Sequence, residues 1–239
     1  QQLEVNGLDV GDAFSQGANL AFFPDTNMEE MVFSFSGNAP ETETGGVRIN
    51  MIPKEGGNVF SGMLFTTFAH SSLQANNLDQ GQIDAGLRDP NLVDQVWSFN
   101  PNIGGPIIQD KLWFFAAHTT QRAFIFPTGS YWDATPASPP FVPDFNDRVL
   151  DTSTAYEQSA NITWQVNPRN KVKIYWSNSS TVQETYLQGR TLVSFFVAPE
   201  AAIKSDVDTN TYQATWVMPA TNRYAAKKTD ATKMLMPGH

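Results

Sequence analysis

Cysteine is absent from all 239 residues, which removes disulfides, thiolate metal sites and cysteine nucleophiles together. Long apolar runs are absent as well. No stretch of about 18 uninterrupted apolar residues occurs, so no transmembrane helix is encoded. That excludes a helical span only, because the strands of a membrane barrel alternate and carry a weak hydropathy signal. Basic residues are scarce, with 15 Lys plus Arg against 24 Asp plus Glu and a net charge of −9. Binding to a phosphate backbone needs clustered cations, so no nucleic-acid partner is expected. Charged residues make up only 16% of the chain while aromatics reach 12%, with 16 Gly and 15 Pro. This balance predicts a loop-rich β protein rather than a helical one. The length fits one large domain or two small ones. Gln1 opens no signal-peptide pattern, which predicts a processed product or an internal piece.

Enzyme signatures are missing too. There is no GxSxG elbow, HExxH, P-loop or GxGxxG. The three histidines are His70, His118 and His239. His118 falls mid-strand in FFAAHTTQ, where a packed or inward-facing imidazole is expected, and His70 sits at a strand end before Ser71-Ser72. The carboxylate pairs Glu29 with Glu30 and Asp144 with Asp147 offer an acid and a base of the glycosidase kind, but solvated loop charges have the same pattern. Asp79, Asp84, Asp89 and Asp94 share one long segment, with a spacing that matches no EF-hand loop. No catalytic residue, metal site or cofactor is therefore assigned.

The informative stretch is GGVRINMIPKEGGNVFSG, Gly45 to Gly62. Val47, Ile49 and Met51 alternate with Arg48 and Asn50, a strand with one wet face. Pro53 cannot donate to a ladder and closes that strand or sits at its edge. Gly56-Gly57-Asn58 signals a turn, after which Phe60, Leu64 and Phe68 share one face of a longer strand. Upstream, Asn6-Gly7 is a tight-turn candidate, Met28 to Phe35 is a strand and Ser36 to Thr44 a loop. Downstream, strands are predicted at about 59–69, 96–103 and 112–121. Gly104-Gly105-Pro106 leads into the short turn before Lys111. Ala160, Ile162, Trp164 and Val166 then alternate with Asn161, Thr163, Gln165 and Asn167. Across the turn Asn167 to Asn170, Val172, Ile174 and Trp176 alternate with Lys171, Lys173 and Ser177, giving a hairpin with one dry and one wet face. A last strand covers 211–217. Long segments at about 70–95, 122–155 and 177–208 alternate with short turns. That is the rhythm of an outer-membrane barrel, with strands of roughly 9 to 11 residues. Trp97, Trp113, Tyr156, Trp176 and Trp216 near strand ends suit an interfacial girdle. A soluble sandwich with a core of aromatics has the same pattern.

The Gly45–Gly62 stretch resembles the plug-to-barrel junction of TonB-dependent outer-membrane receptors, in particular the Oar-like branch. WSFNPNIGGPIIQDKLWFF (Trp97 to Phe115), ITWQVNPRNKVKIYW (Ile162 to Trp176), APEAA (Ala198 to Ala202) and QATWVMPATNR (Gln213 to Arg223) resemble later parts of the same family. The resemblance implies an all-β antiparallel fold: a plug-domain portion at 1–57, then about six strands of an incomplete outer-membrane barrel at 58–223 with long extracellular loops. Tyr224 to His239 shows no alternation and no resemblance, and is expected to be an unrelated tail. By the same resemblance the chain is a portion of a receptor in the outer membrane of a Gram-negative bacterium, taking up a scarce or large substrate and not transport-competent alone. Its partners would be TonB for the full-length receptor, outer-membrane lipid, and an extracellular carbohydrate or peptide. Ligand contact is expected at loop aromatics, Tyr131 and Trp132, taken to be exposed. The alternative is an autonomously folded soluble β domain, either a glycosidase-like hydrolase with two carboxylates or a carbohydrate-binding module.

Overall fold

The alternation at Val47 forms a strand, and that strand is the centre of a small N-terminal sheet. A computed structural model describes residues 2–10, 23–35, 47–75, 77–136, 140–186, 199–221 and 224–237. In it β1 (Gln2–Val5) and β2 (Leu8–Asp9) form a hairpin through Asn6 and Gly7, both at positive φ (51° and 81°). This is the left-handed turn that Asn-Gly favours. β3 (Met28–Ser34) and β4 (Arg48–Pro53) complete the order β2-β1-β4-β3, with β1 and β4 parallel and the other pairs antiparallel. Leu3, Val5, Val10, Met28 and Met51 are buried together, and Tyr175 from the second sheet completes their cluster. The loop expected at Ser36 to Thr44 lies outside the described residues, as does His239.

The second sheet has seven antiparallel strands in the order β13-β12-β11-β10-β7-β6-β5. These are β5 (Ser61–His70), β6 (Leu92–Ile108), β7 (Leu112–Phe126), β10 (Asp151–Asn167), β11 (Asn170–Tyr186), β12 (Ile203–Thr221) and β13 (Tyr224–Pro237). The turns after β6, β10 and β12 are short and lie at one end, and the long connections lie at the other. A small hairpin of β8 (Tyr131–Asp133) and β9 (Pro143–Arg148) occupies one long connection, and a five-residue helix α1 (Gln80–Asp84) another. The fold is all-β, and among the described residues the sheet does not close into a barrel.

Three expectations are corrected. Gly104-Gly105-Pro106 do not lie past the end of the strand expected at 96–103 but continue it as part of β6, paired with Phe115, Phe114 and Trp113. The turn comes later, at Asp110, whose φ is 59°. Strands β6, β7, β10, β11 and β12 run 15 to 19 residues, longer than the roughly 9 to 11 that a bilayer requires. Pairing continues past the point where alternation fades, because each backbone N–H and C=O still needs a partner. For the same reason Tyr224–Pro237, read as a tail without strand character, forms β13, paired with β12 from Val207 to Thr221.

The polarity of this sheet is inverted. The face covered by the N-terminal sheet carries buried Ser98, Asn100, Asn102, Thr119, Glu157, Ser159, Asn161, Thr163, Ser177, Ser179, Thr209, Thr211 and Gln213. The opposite face carries exposed Leu64, Phe68, Phe99, Ile103, Ile162, Trp164, Ile174, Tyr212 and Trp216. Ile174 is 52% exposed and Phe68 64%. A water-soluble sheet does the reverse. The apolar zone also runs obliquely. In the row Phe68–Trp97–Arg122–Thr154–Val182–Asp206 the large apolar side chains belong to β5 and β6, and the β12 end is charged. In the row Leu112–Trp164–Val172–Trp216, nearer the short turns, β10 to β12 are apolar. An apolar slab crossed by tilted strands produces this offset.

Candidate functional site

The segment joining the two sheets is built for close approach. A Cβ on Gly56 would lie 2.1 Å from the backbone oxygen of Phe114, and one on Gly105 would lie 2.3 Å from the ring of Phe60. Only glycine allows the linker to lie this near the strand ends. Gly57 has open space around it, so the two adjacent glycines are not equivalent. Asn58 then fastens the turn after β6. Its Nδ2 donates to Asp110 Oδ1 (2.6 Å), and its Oδ1 accepts from Asp110 N (2.9 Å) and Trp113 Nε1 (2.6 Å). Glu55 reaches across to β11 and β10. It pairs with Lys173, lies 3.8 Å from Lys171 and accepts from Thr163 Oγ1 (3.1 Å). The signature Lys54-Glu55-Gly56-Gly57-Asn58 is thus a clasp.

The clasp brings the N-terminal sheet against the polar face of the large one. Lys54 Nζ donates to Thr26 O (2.9 Å), and the Lys54 carbonyl accepts from Asn161 Nδ2 (3.2 Å). Asn27, 1% exposed, donates from Nδ2 to Glu157 Oε2 (2.8 Å), and Asn6 donates to Gln213 Oε1 (3.0 Å). Within the small sheet Arg48 makes a two-pronged bond to buried Glu4, 2.6 Å on each arm. That hydrogen bond, with the carboxylate charge behind it, raises the guanidinium further above its ordinary value. The interface is therefore held by polar contacts, with Tyr175 as an apolar anchor.

At the long-connection end, Arg148 gathers three loop carbonyls: Pro90 (2.9 Å), Phe126 (3.0 Å) and Pro127 (3.2 Å). Tyr131 is buried rather than exposed, because its hydroxyl donates to Asp89 and its ring meets Phe145 edge-on at 5.2 Å. Burial first, and then the bond to the Asp89 carboxylate, push its phenol up. Trp132, next in β8, is half-buried. Asp133 accepts backbone N–H bonds from Thr135 (2.9 Å) and Val142 (3.1 Å), chiefly the former, which hold its carboxyl below the usual range.

The other candidates are dispersed. His118 Nε2 lies 2.8 Å from Thr120 Oγ1 on the apolar side of the sheet, and His70 Nδ1 accepts from Ser72 N at 3.2 Å. Glu29 and Glu30 are exposed on an edge strand, and Asp144 caps Asn146 N. Asp79 caps α1, Asp84 accepts from Gln80 and Asp89 serves Tyr131. Among the described residues no group of three potential ligands could hold a metal ion, and no helix is long and apolar enough to cross a membrane. The residue missed in the sequence is Glu157, fully buried. The available signal was its even spacing from Asn161 and Thr163, which places all three on the wet face.

No protein-family model matches the chain, and no solved structure matches it. Among curated proteins the chain is similar to the TonB-dependent transporter Oar of Myxococcus xanthus. The two are 32% identical over 118 residues, which is 47% of this chain and 11% of that protein. The chain thus spans about 11% of the length of the relative it matches.

Proposed function

We propose that this chain is the junction segment of an Oar-like TonB-dependent outer-membrane receptor, with the N-terminal sheet as plug portion (1–57) and the seven-stranded sheet as the opening wall of its barrel. The carrying observation is the inverted polarity: apolar side chains face out in an oblique band, and polar ones face the N-terminal sheet. Partial similarity to a transporter supports the same reading. Strand pairing through Tyr224–Pro237 extends the wall to seven strands. In the full receptor TonB would act on the plug, and the long connections would select an extracellular carbohydrate or peptide. Trp132 is the better placed of the two loop aromatics for ligand contact, since the Tyr131 hydroxyl is committed to Asp89. The soluble-domain alternative gains nothing from this sheet, because it would leave Ile174, Trp164 and Phe68 in water.

The test uses single-tryptophan variants, the other five replaced by phenylalanine, in micelles of a brominated detergent. Heavy-atom quenching requires contact with the detergent chains. Fluorescence from Trp164 alone is expected to be strongly quenched, and that from Trp132 alone to be nearly unaffected. Equal quenching at both positions would remove the proposed band.

A further inference from the structure

On the outward face of the wall, at the long-connection side of the apolar band, a cavity of about 360 Å³ lies across β7, β10 and β11. Thr154 and Val182 face each other along its middle, and Phe124 lines it nearer the long connections. Arg122 from β7 and Glu184 from β11 line it from opposite sides. Their strands are two apart, roughly 10 Å at the usual sheet spacing. Neither residue takes part in an ion pair among the described residues. Arg122 is held where it is, since Nη2 donates to Tyr156 Oη (3.3 Å) and the guanidinium lies 5.5 Å from the centre of the Trp97 ring. Neither partner neutralises its charge. Glu184 is exposed, and Asp206 follows Val182 in the next strand. The cavity is therefore cationic on its β7 side and acidic on its β11 and β12 side.

That division selects the charge of an occupant. A lone anion on Arg122 would face Glu184 and Asp206, and a lone cation on Glu184 would face Arg122. A molecule with both charges, separated, matches both sides. The place of the cavity selects further. Trp97 and Phe68 continue the row of Arg122 towards β5 and belong to the apolar band. Hydrocarbon chains can lie on that band while a polar head occupies the cavity. Trp97 and Tyr156 flank Arg122, and such amphipathic rings concentrate at the headgroup level of a membrane. Phosphate is the anion that a guanidinium holds best there.

We propose that this cavity receives the headgroup of a phosphoethanolamine-bearing lipid, with the phosphate on Arg122 and the ammonium on Glu184. Phe124 and Val182 meet the apolar part of the head, and the acyl chains run along the band. The inference rests on the membrane reading of this face and adds to it one lipid of defined chemistry at one place.

The test is native mass spectrometry of the full chain in nonionic micelles doped with dioleoylphosphatidylethanolamine or, separately, dioleoylphosphatidylglycerol. One retained ethanolamine lipid per chain is expected, in preference to the glycerol lipid. Arg122→Gln should lower its retention about tenfold, the effect of one hydrogen bond to a charged group. Glu184→Gln should lower it by a similar factor while leaving the glycerol lipid no weaker, so that the preference disappears. Both variants should keep the circular dichroism spectrum of the parent. Retention of neither lipid, while Trp164 quenching upholds the apolar band, overturns this site and leaves the membrane reading standing. Equal retention of the two lipids, indifferent to Glu184→Gln, shows that no ammonium is recognised and overturns it too. Displacement of the lipid by an equal concentration of water-soluble phosphoethanolamine assigns the cavity to a soluble ligand, and that also overturns it.

Discussion

Gly56→Ala is expected to loosen the N-terminal sheet from the wall, whereas Gly57→Ala is expected to leave it in place. The added methyl at Gly56 would sit 2.1 Å from the Phe114 carbonyl oxygen, and neither atom is on a flexible side chain. One backbone must move, and it moves against its own ladder, since Phe114 is paired on both sides with Gly105 and Ile162. Overpacking of this kind costs about 1–3 kcal/mol. The displaced linker also draws Glu55 away from Lys173 and Asn58 away from Asp110, so the measured loss should lie at the upper end. At Gly57 nothing lies within 4 Å of the added atom, and a change within about 0.5 kcal/mol is expected. Urea unfolding in micelles, with the rate of proteolytic cleavage between the sheets as a second readout, separates the two. Equal effects at the two glycines would mean that turn conformation, and not close approach, sets the motif.

The second large effect concerns the opposite face. Ile174 is 52% exposed beside Ile162 and Ala214, with Trp164 and Trp216 one row away. If that band meets lipid or detergent chains, Ile174→Arg destabilises by about 2–4 kcal/mol near the middle of the apolar layer, and by less towards its edges. If the band meets water, the same substitution is nearly neutral, as surface changes usually are. Urea midpoints of the two proteins in micelles provide the measurement, and Ser180→Arg is the control. Ser180 shares the face of Ile174 but lies in the polar part of β11, opposite Tyr156 and Asp208. A loss at Ile174 that is absent at Ser180 supports an apolar layer of limited height. Similar small effects at both sites would contradict it.

The sequence carried the strands well and their sides less well. In Ala160 to Trp176 the alternation is plain, and the observed register agrees with it, with Ile162 opposite Ile174 and Trp164 opposite Val172. Alternation separates two faces without saying which is covered. That is decided by the N-terminal sheet, which docks on Asn161 and Thr163 through distant Lys54 and Glu55. The sequence places Gly104-Gly105 past the end of the strand at 96–103, because paired glycines usually punctuate a strand. Here they lie inside β6 and make room for Phe60 and for the linker at Gly56. Tyr131 looked like a free loop aromatic, since nothing in its neighbourhood of the chain reveals that Asp89, 42 residues earlier, takes its hydroxyl. Glu157 was hidden in a polar run, Tyr156 to Ser159. Its burial follows only from the contact with Asn27, 130 residues away in the chain.

The central claim is that the large sheet turns its apolar side outward to a membrane-like phase. Sedimentation of the purified chain with and without detergent, with far-ultraviolet circular dichroism on each sample, tests it most directly. The account predicts a dispersed, β-rich species in detergent and aggregation in plain buffer, where the band of Phe68, Ile162, Trp164 and Ile174 would associate along with the open strand edges. A monodisperse, β-rich protein in plain buffer, unchanged by detergent, would contradict it.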